Sequence, residues 1–279
     1  MSKSIFKATK EEADNIVKLK DIPINETAYR GMNLARKILL LLLGFFFIGL
    51  NAYIMGVEMF PALRGDNNPN FNFIGKVSNS LKGLIEVLIF IWLLYLIINL
   101  IPKKNYSVHS LYLFSFMPVG LAAFLVIFFE IVYAVSVVNL GVWATIVIVF
   151  LGIIYIFRGL KNKYVDLYGK LYVKGSFRSE RKDYFNFLTF FLVIAIFINT
   201  FTFKVGIKVE YNFFSIILSF LLLVWFWVIS LETKYVFKLF LVNYYFHKYG
   251  LYYKEKFKIC DSEWYGSRKA KRLAKKKRK

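Results

Sequence analysis

The sequence predicts an all-α fold: a polytopic membrane bundle of six transmembrane helices with both termini in the cytoplasm. Three observations predict it. Of the 279 residues, 58% are hydrophobic and 20% are aromatic. The apolar residues form uninterrupted runs long enough to cross a bilayer as helices. The basic residues are concentrated in the segments that would share one side of the membrane, and such segments stay in the cytoplasm.

Composition divides the chain into three parts. Residues 1–37 form a polar cytoplasmic segment, residues 38–231 form the six-span region, and residues 232–279 form a basic cytoplasmic tail that contains a candidate interfacial helix. The six spans are predicted at 38–57, 81–101, 110–129, 139–157, 184–203 and 212–231.

Each span follows from a run of apolar residues. The first reads ILLLLLGFFFIGLNAYIMGV, and the second ends just before Pro102. The third and fourth share one apolar block, 110–157, which is too long for a single span at 1.5 Å per residue. We expect its turn within 130–139, where Ser136 and Asn139 interrupt the run. The runs lack the polar alternation of barrel strands, and helices satisfy their own backbone hydrogen bonds in lipid.

The distribution of charge predicts the orientation. The formal net charge is +21, and 33 of the 38 Lys and Arg residues fall in the segments assigned to one side. The other five basic residues face the opposite side together with five acidic residues, so that side is formally neutral. Short basic connections are retained in the cytoplasm, which places both termini there.

The tail ends in a strongly basic stretch without an acidic residue. We expect it to act as a topological anchor that also contacts anionic lipid headgroups. Ribosomal RNA or another polyanion is an alternative partner, because such binding is mainly electrostatic. The last four residues, KKRK, also fit a dilysine retrieval signal, which is relevant only in a eukaryotic source. The composition, rich in Lys, Asn, Ile, Phe and Tyr, favours a bacterial cytoplasmic membrane instead. The contact residues are Arg268, Lys269, Lys271, Arg272, Lys275, Lys276, Lys277, Arg278 and Lys279.

Two segments on the cytoplasmic side show amphipathic, tyrosine-rich patterns. They lie at 159–175 and 235–253, and the second is also interpreted as an extension of the sixth span. Apolar and aromatic residues at helical spacing, with lysines between them, are typical of interfacial helices. Either they pack beneath the bundle, or they couple to a cytoplasmic or membrane protein partner.

Motifs for catalysis are missing from the sequence. The two histidines, His109 and His247, and the single cysteine, Cys260, stand apart, and no nucleotide-binding or hydrolase motif is present. The pattern predicts no cofactor and no metal site, and it does not favour an enzyme.

Polar residues inside or at the ends of the spans are the remaining functional candidates. Asn51 and Asn99 are expected to bond neighbouring helices, and so is Asn199. Three acidic residues, Glu58, Glu86 and Glu130, fall toward the outer side. They are interpreted either as separate interfacial carboxylates or as the lining of a polar vestibule for a cation or a basic peptide. In the vestibule hypothesis Glu86, which has Lys82 one turn before it, is the deepest and therefore the best candidate.

Three functions are compatible with these patterns. The first is a non-enzymatic membrane component of a transport, export or self-protection system that works with a separate partner. The second is a membrane-insertion or ribosome-tethering factor that uses the basic tail. The third is a lipid-modifying or proteolytic membrane enzyme, against which the lack of a clustered catalytic set argues.

Overall fold

The computed structural model describes residues 3–22, 34–101, 103, 105–173 and 213–277. Regular structure in these ranges is helical throughout, and no β-strand occurs in them, so the predicted all-α class is confirmed. The α-helices of four or more residues in these ranges are α1 (Lys10–Ala13), α2 (Leu34–Leu43), α3 (Pro69–Leu100), α4 (Tyr106–Leu140), α5 (Val142–Tyr172), α6 (Phe213–Lys248), α7 (Gly250–Lys256), α8 (Asp261–Tyr265) and α9 (Ser267–Lys277).

Helix α2 continues as an unusual helix across the first predicted span. Two π-helical stretches follow it, Gly44–Leu50 and Tyr53–Met59, and a single α-helical turn, Phe60–Ala62, closes the segment. A π-helical turn widens the helix and changes which side chains face its neighbours. The side chains on this segment therefore do not follow the regular spacing of an α-helix.

Asparagine residues fix the starts of the two central helices. Asn68 accepts a hydrogen bond from the Asn70 amide (2.9 Å), and Pro69 occupies the first helical position of α3. Asn105 accepts a hydrogen bond from the Val108 amide (3.1 Å) at the start of α4. Both helices consequently begin in polar sequence, outside the apolar runs that predicted them.

The long apolar block turns at a glycine. Gly141 has φ 81°, a conformation that glycine adopts without steric cost, and it separates α4 from α5. The turn lies just beyond the expected 130–139 stretch, because Ser136 and Asn139 are accommodated within α4.

Helix α4 occupies the middle of the bundle, between α3 and α6, and α5 packs on α6. The α5–α6 contact is close at Gly152, where a Cβ atom would lie 2.4 Å from ring carbons of Phe226. Buried side chains from α4, α5 and α6, among them Val132, Ile148 and Leu222, complete this apolar core.

Helices α3 and α5 are long and apolar enough to cross a membrane. Only 33% of the most apolar window of α3 and 22% of that of α5 is buried, whereas the core helix of a soluble protein is mostly buried. Their exposed side chains include Phe90, Leu94 and Ile97 on α3 and Trp143, Phe150, Ile153 and Phe157 on α5. The chain thus has helices suited to a membrane. The fifth predicted span, 184–203, lies outside the described residues.

The amino-terminal residues pack against the carboxy-terminal half of the chain. We call residues 3–22 the amino-terminal strap, and we call the end of the bundle where α3 ends and α4 begins the inner end. The strap lies at the inner end, where α5 and α6 extend past their apolar runs. The two amphipathic segments are therefore continuations of α5 and α6, and α6 ends at Lys248. Apolar strap residues buried there are Ile5, Ala8, Ala13, Ile16, Val17 and Ile22.

Tyrosine side chains hold the strap by its backbone. The Tyr172 hydroxyl donates to the Ser4 carbonyl (2.7 Å), and the Tyr249 hydroxyl donates to the Ala8 carbonyl (2.6 Å). Tyr245 donates to the carbonyl of strap residue 5 and accepts from the Ala8 amide (3.0 Å). Three tyrosine hydroxyl groups thus fix the backbone of the strap to the bundle.

Candidate functional site

A single acidic side chain is buried in the bundle among the described residues. Glu130, on α4, is only 1% exposed. Neither of its carboxyl oxygens has a hydrogen-bond partner. An ionised carboxylate in that position would lose its hydration without compensation, at a cost of several kcal/mol or more. Burial therefore favours the protonated, neutral form of this carboxyl group.

Two other segments contribute polar or small residues beside this carboxyl group. Ser78 on α3 is fully buried, and its hydroxyl interacts with Glu130 but makes no hydrogen bond of ordinary geometry. Gly56 lies opposite, in the π-helical stretch, where a Cβ atom would be 3.2 Å from Glu130 Oε2. A larger residue at position 56 would press on the carboxyl group and on Ile85, from which its Cβ atom would be 2.6 Å.

The surroundings of Glu130 are otherwise apolar. One cluster contains Ala52 and Ile85, with Val126 of α4 packed against it. A second cluster begins about one turn later on α4, at Tyr133, and includes Ile74 of α3. Because Glu130 lies between the two, water is displaced from around its carboxyl group.

The other two acidic residues of the vestibule hypothesis lie elsewhere. Glu58 and Glu86 are exposed, and both lie close to Tyr53 on the outer surface of the first helical segment. Lys82 and Glu86 are both described, and no ion pair joins them. The structure thus separates one interior carboxyl group from two surface carboxylates. Ser78, which sequence reasoning missed, carries no sequence signal beyond being a serine within an apolar helix.

The asparagines of the predicted spans differ in their surroundings. Asn51 donates to the carbonyl oxygens of Phe47 (3.0 Å) and Phe46 (3.4 Å), so it bonds its own helix. Asn99 is buried at the end of α3, and its carbonyl oxygen has no partner. Asn199 lies outside the described residues.

The histidines do not form a catalytic pair. The Ser107 hydroxyl lies 3.4 Å from His247 Nδ1, but it donates to Asn105 Oδ1 at 2.9 Å. A cavity of about 310 Å³ beside them opens at the inner end and is also lined by Trp264. The shorter of the two Ser107 contacts is the one to the Asn105 amide oxygen, so the hydroxyl hydrogen is directed away from His247. His109 is buried separately in α4.

The basic tail forms helix α9. The side chains of Lys269, Lys271, Arg272, Lys275 and Lys276 are exposed along it. The side chains of Arg268 and Lys277, and all of Arg278 and Lys279, lie outside the described part. Lys269 lies over the Tyr265 ring, 5.4 Å from its centroid, whereas Lys271, Arg272, Lys275 and Lys276 are available to a polyanion.

Within the described residues, no group of three or more His, Cys, Asp or Glu side chains is placed to hold a metal ion. No protein-family model matches the chain, and no curated protein or solved structure is significantly similar to it.

Proposed function

We propose that the chain is a six-span membrane protein, with both termini in the cytoplasm, that serves as a non-enzymatic membrane component of a transport, export or self-protection system. In this proposal Glu130 takes up and releases a proton as the system works. The observation that carries it is the burial of the Glu130 carboxyl group without a hydrogen-bond partner. Ionisable groups at membrane depth are costly, and they mark ion pathways and proton relays.

The surface of the bundle supports a membrane location. Large apolar side chains are exposed along α3 and α5, with Phe90 at 67% and Phe157 at 68%. A water-soluble protein rarely exposes so large an apolar area, whereas lipid solvates it. The concentration of 33 of the 38 basic residues in the cytoplasmic segments supports the orientation.

The surroundings of Glu130 favour a proton over a metal ion. Hard cations take about six to eight oxygen ligands. The described residues next to Glu130 offer its own two oxygens and the Ser78 hydroxyl. A proton needs no further ligand and leaves a neutral group that the apolar surroundings tolerate.

The π-helical stretch beside Glu130 is suited to gate this proton. Such turns occur often at functional sites. Gly56 keeps the helix close to the carboxyl group, and a return of Tyr53–Met59 to α-helical geometry would turn Gly56 away from it. We expect water to reach Glu130 in that second arrangement.

The exposed basic helix α9 favours a second function, membrane insertion or ribosome tethering. Lys271 and Lys275, one turn apart, are both free to contact a polyanion. This function would require α9 but not Glu130, so the two candidates are separable by mutation.

The test is a comparison of three matched variants in a strain that lacks the gene. Glu130→Gln, which cannot ionise, should fail to complement the deletion phenotype while reaching normal levels in the membrane. Glu58→Gln and Glu86→Gln should complement like the wild type, because both side chains are exposed. Full complementation by Glu130→Gln, with loss of function on deleting α9, would replace this proposal by the tethering function.

The proton itself is tested on the purified chain. Infrared difference spectra recorded across a pH titration should contain a carboxyl band that disappears in Glu130→Gln and persists in Glu86→Gln. If the wild-type and Glu130→Gln spectra coincide, Glu130 does not exchange a proton.

A further inference from the structure

Two lysines from neighbouring segments contact the carboxy-terminal end of α3. Lys37, at the start of the first helical segment, donates to the Ile101 carbonyl (3.4 Å). Lys103, in the connection to α4, donates to the Ile98 carbonyl (3.1 Å) and lies 3.9 Å from the centroid of the Tyr112 ring. Both ammonium groups thus meet at the carbonyl end of one helix.

A buried histidine lies beside this pair of lysines. His109, on the first turns of α4, is within electrostatic range of both, and its Nδ1 atom has no hydrogen-bond partner. Buried polar groups in proteins nearly always have partners, so this ring nitrogen is open to a further contact.

The positive charge exceeds what the helix end can balance. A helix carboxy terminus carries roughly half a negative charge, whereas Lys37 and Lys103 carry two positive charges. Lys37 is 3% exposed, so water does not hydrate its ammonium group freely. In the described part of the chain neither lysine forms an ion pair with a carboxylate. An anion beside the two ammonium groups would balance this excess.

We propose that Lys37, Lys103 and His109 form a binding site for the phosphate group of an anionic ligand. Ammonium groups donate charge-assisted hydrogen bonds to phosphate oxygens, and a neutral imidazole adds one ring N–H donor. The site is reached from the side of the bundle, because Lys103 is only partly buried and Ile101 is 58% exposed. It lies at the inner ends of the helices, where lipid headgroups meet a membrane protein, and it does not depend on the role of Glu130.

The phosphate can belong to an anionic lipid or to a soluble molecule, and two probes distinguish them. The full-length chain is purified in a neutral detergent, and its thermal unfolding is followed during titration with phosphatidylglycerol, with phosphatidylcholine or with inorganic phosphate. Stabilisation by phosphatidylglycerol but not by inorganic phosphate assigns the site to a lipid headgroup. Stabilisation by inorganic phosphate alone assigns it to a soluble phosphate.

Single substitutions locate the binding. Lys37→Gln and Lys103→Gln should each weaken the apparent affinity for the effective probe about fivefold, the loss expected for one basic residue at an anionic group. Lys275→Gln, on exposed α9, removes the same charge elsewhere and should leave the affinity unchanged. Should Lys37→Gln fail to fold, Lys103→Gln and His109→Gln carry the test.

Two results would overturn the site. One is a wild-type chain that neither phosphatidylglycerol nor phosphate stabilises. The other is an equal loss of affinity in Lys275→Gln and Lys103→Gln, which would show that the anion responds only to the net charge of the protein.

Discussion

Asp14 links the amino-terminal strap to α7 through a partly buried ion pair. Its carboxylate accepts from Lys256 Nζ (2.6 Å) and from the Tyr252 hydroxyl (2.6 Å). Burial alone would raise the pKa of Asp14, but the hydrogen bonds from Lys256 and Tyr252 outweigh it, and the pKa lies below its ordinary value. Its stabilisation of the strap is therefore complete above the unfolded pKa, about 3.9, and is lost as the pH falls through the lower folded value.

Asp14→Asn should destabilise the strap by about 1–2 kcal/mol at neutral pH, because the charge-assisted bonds are lost. Hydrogen exchange of residues 3–22 measures this directly. Glu11→Gln is the control, since Glu11 is exposed and its contact with Lys10 is 3.8 Å long. Equal protection of wild type and Asp14→Asn at neutral pH would show that the pair contributes nothing.

The sequence predicted Glu86 to be the deepest acidic residue from its position along the second span. Whether its side chain is buried depends instead on which way the helix is rotated about its axis. Ile85 and Glu86 are neighbours on α3, yet Ile85 is fully buried and Glu86 is exposed. Successive helical residues point about 100° apart. The side that faces α4 is set by contacts between helices, which one sequence does not reveal. The same contacts bury Glu130.

At the scale of an element, the close approach of α5 and α6 depends on Gly152. Gly152→Ala would place its methyl group 2.4 Å from carbons of the buried Phe226 ring, so the ring or the helix must shift. We expect a loss of about 1–3 kcal/mol, the usual cost of overpacking. The measurement is the thermal unfolding midpoint of the purified chain.

Gly83→Ala is the matched control. A Cβ atom at position 83 meets nothing within 4 Å, and the position lies inside α3. Alanine there should be neutral or stabilising by up to about 1 kcal/mol, because it reduces backbone freedom in the unfolded chain. If both alanine variants unfold at the wild-type temperature, α5 and α6 are not packed this closely.

The tyrosine contacts that hold the strap are a second element-scale feature. Tyr245→Phe would leave the Ala8 amide and the carbonyl of residue 5 without their partner in a buried place. Unpaired buried groups cost about 1–3 kcal/mol, so we expect faster hydrogen exchange in the strap. Tyr235→Phe should change nothing, because Tyr235 is 58% exposed. Equal exchange in the two variants would contradict the role of the hydroxyl.

The sequence predicted helices where apolar runs are long, and it missed the strap. Runs and caps are local signals, so α3 and α5 could be located from them. The contacts of the strap join residues that are far apart in sequence, such as Ala8 and Tyr245, 237 positions apart, and Ser4 and Tyr172, 168 positions apart. No local pattern encodes such a pairing. The sequence shows the tyrosine-rich segments, but it does not show that their hydroxyl groups bond the backbone of the strap.

At the scale of the whole molecule, a net charge of +21 is combined with an apolar exterior along α3 and α5. The strap and the ends of α5 and α6 pack together at the inner end, and α8, which contributes Trp264 to the same cluster, leads into α9. Ion pairs there, such as Lys238–Asp21 (2.8 Å), neutralise only part of the excess. The remainder would sit beside anionic headgroups if the inner end faces the cytoplasm.

Reporter fusions test that orientation. A reporter active only outside the cytoplasm should be active after Arg64 or Lys208, and silent after Lys104, Lys170 or Lys279. The reason is electrostatic: 33 of the 38 basic residues lie in the segments assigned to the cytoplasm, and translocating them is opposed. Arg64 and Lys170 belong to opposite ends of the described bundle, whereas the other three positions lie outside the described residues. Activity at Lys279 would place the basic tail outside the cytoplasm and contradict the proposed orientation. Equal activity after Arg64 and Lys170 would contradict a bundle that spans the membrane.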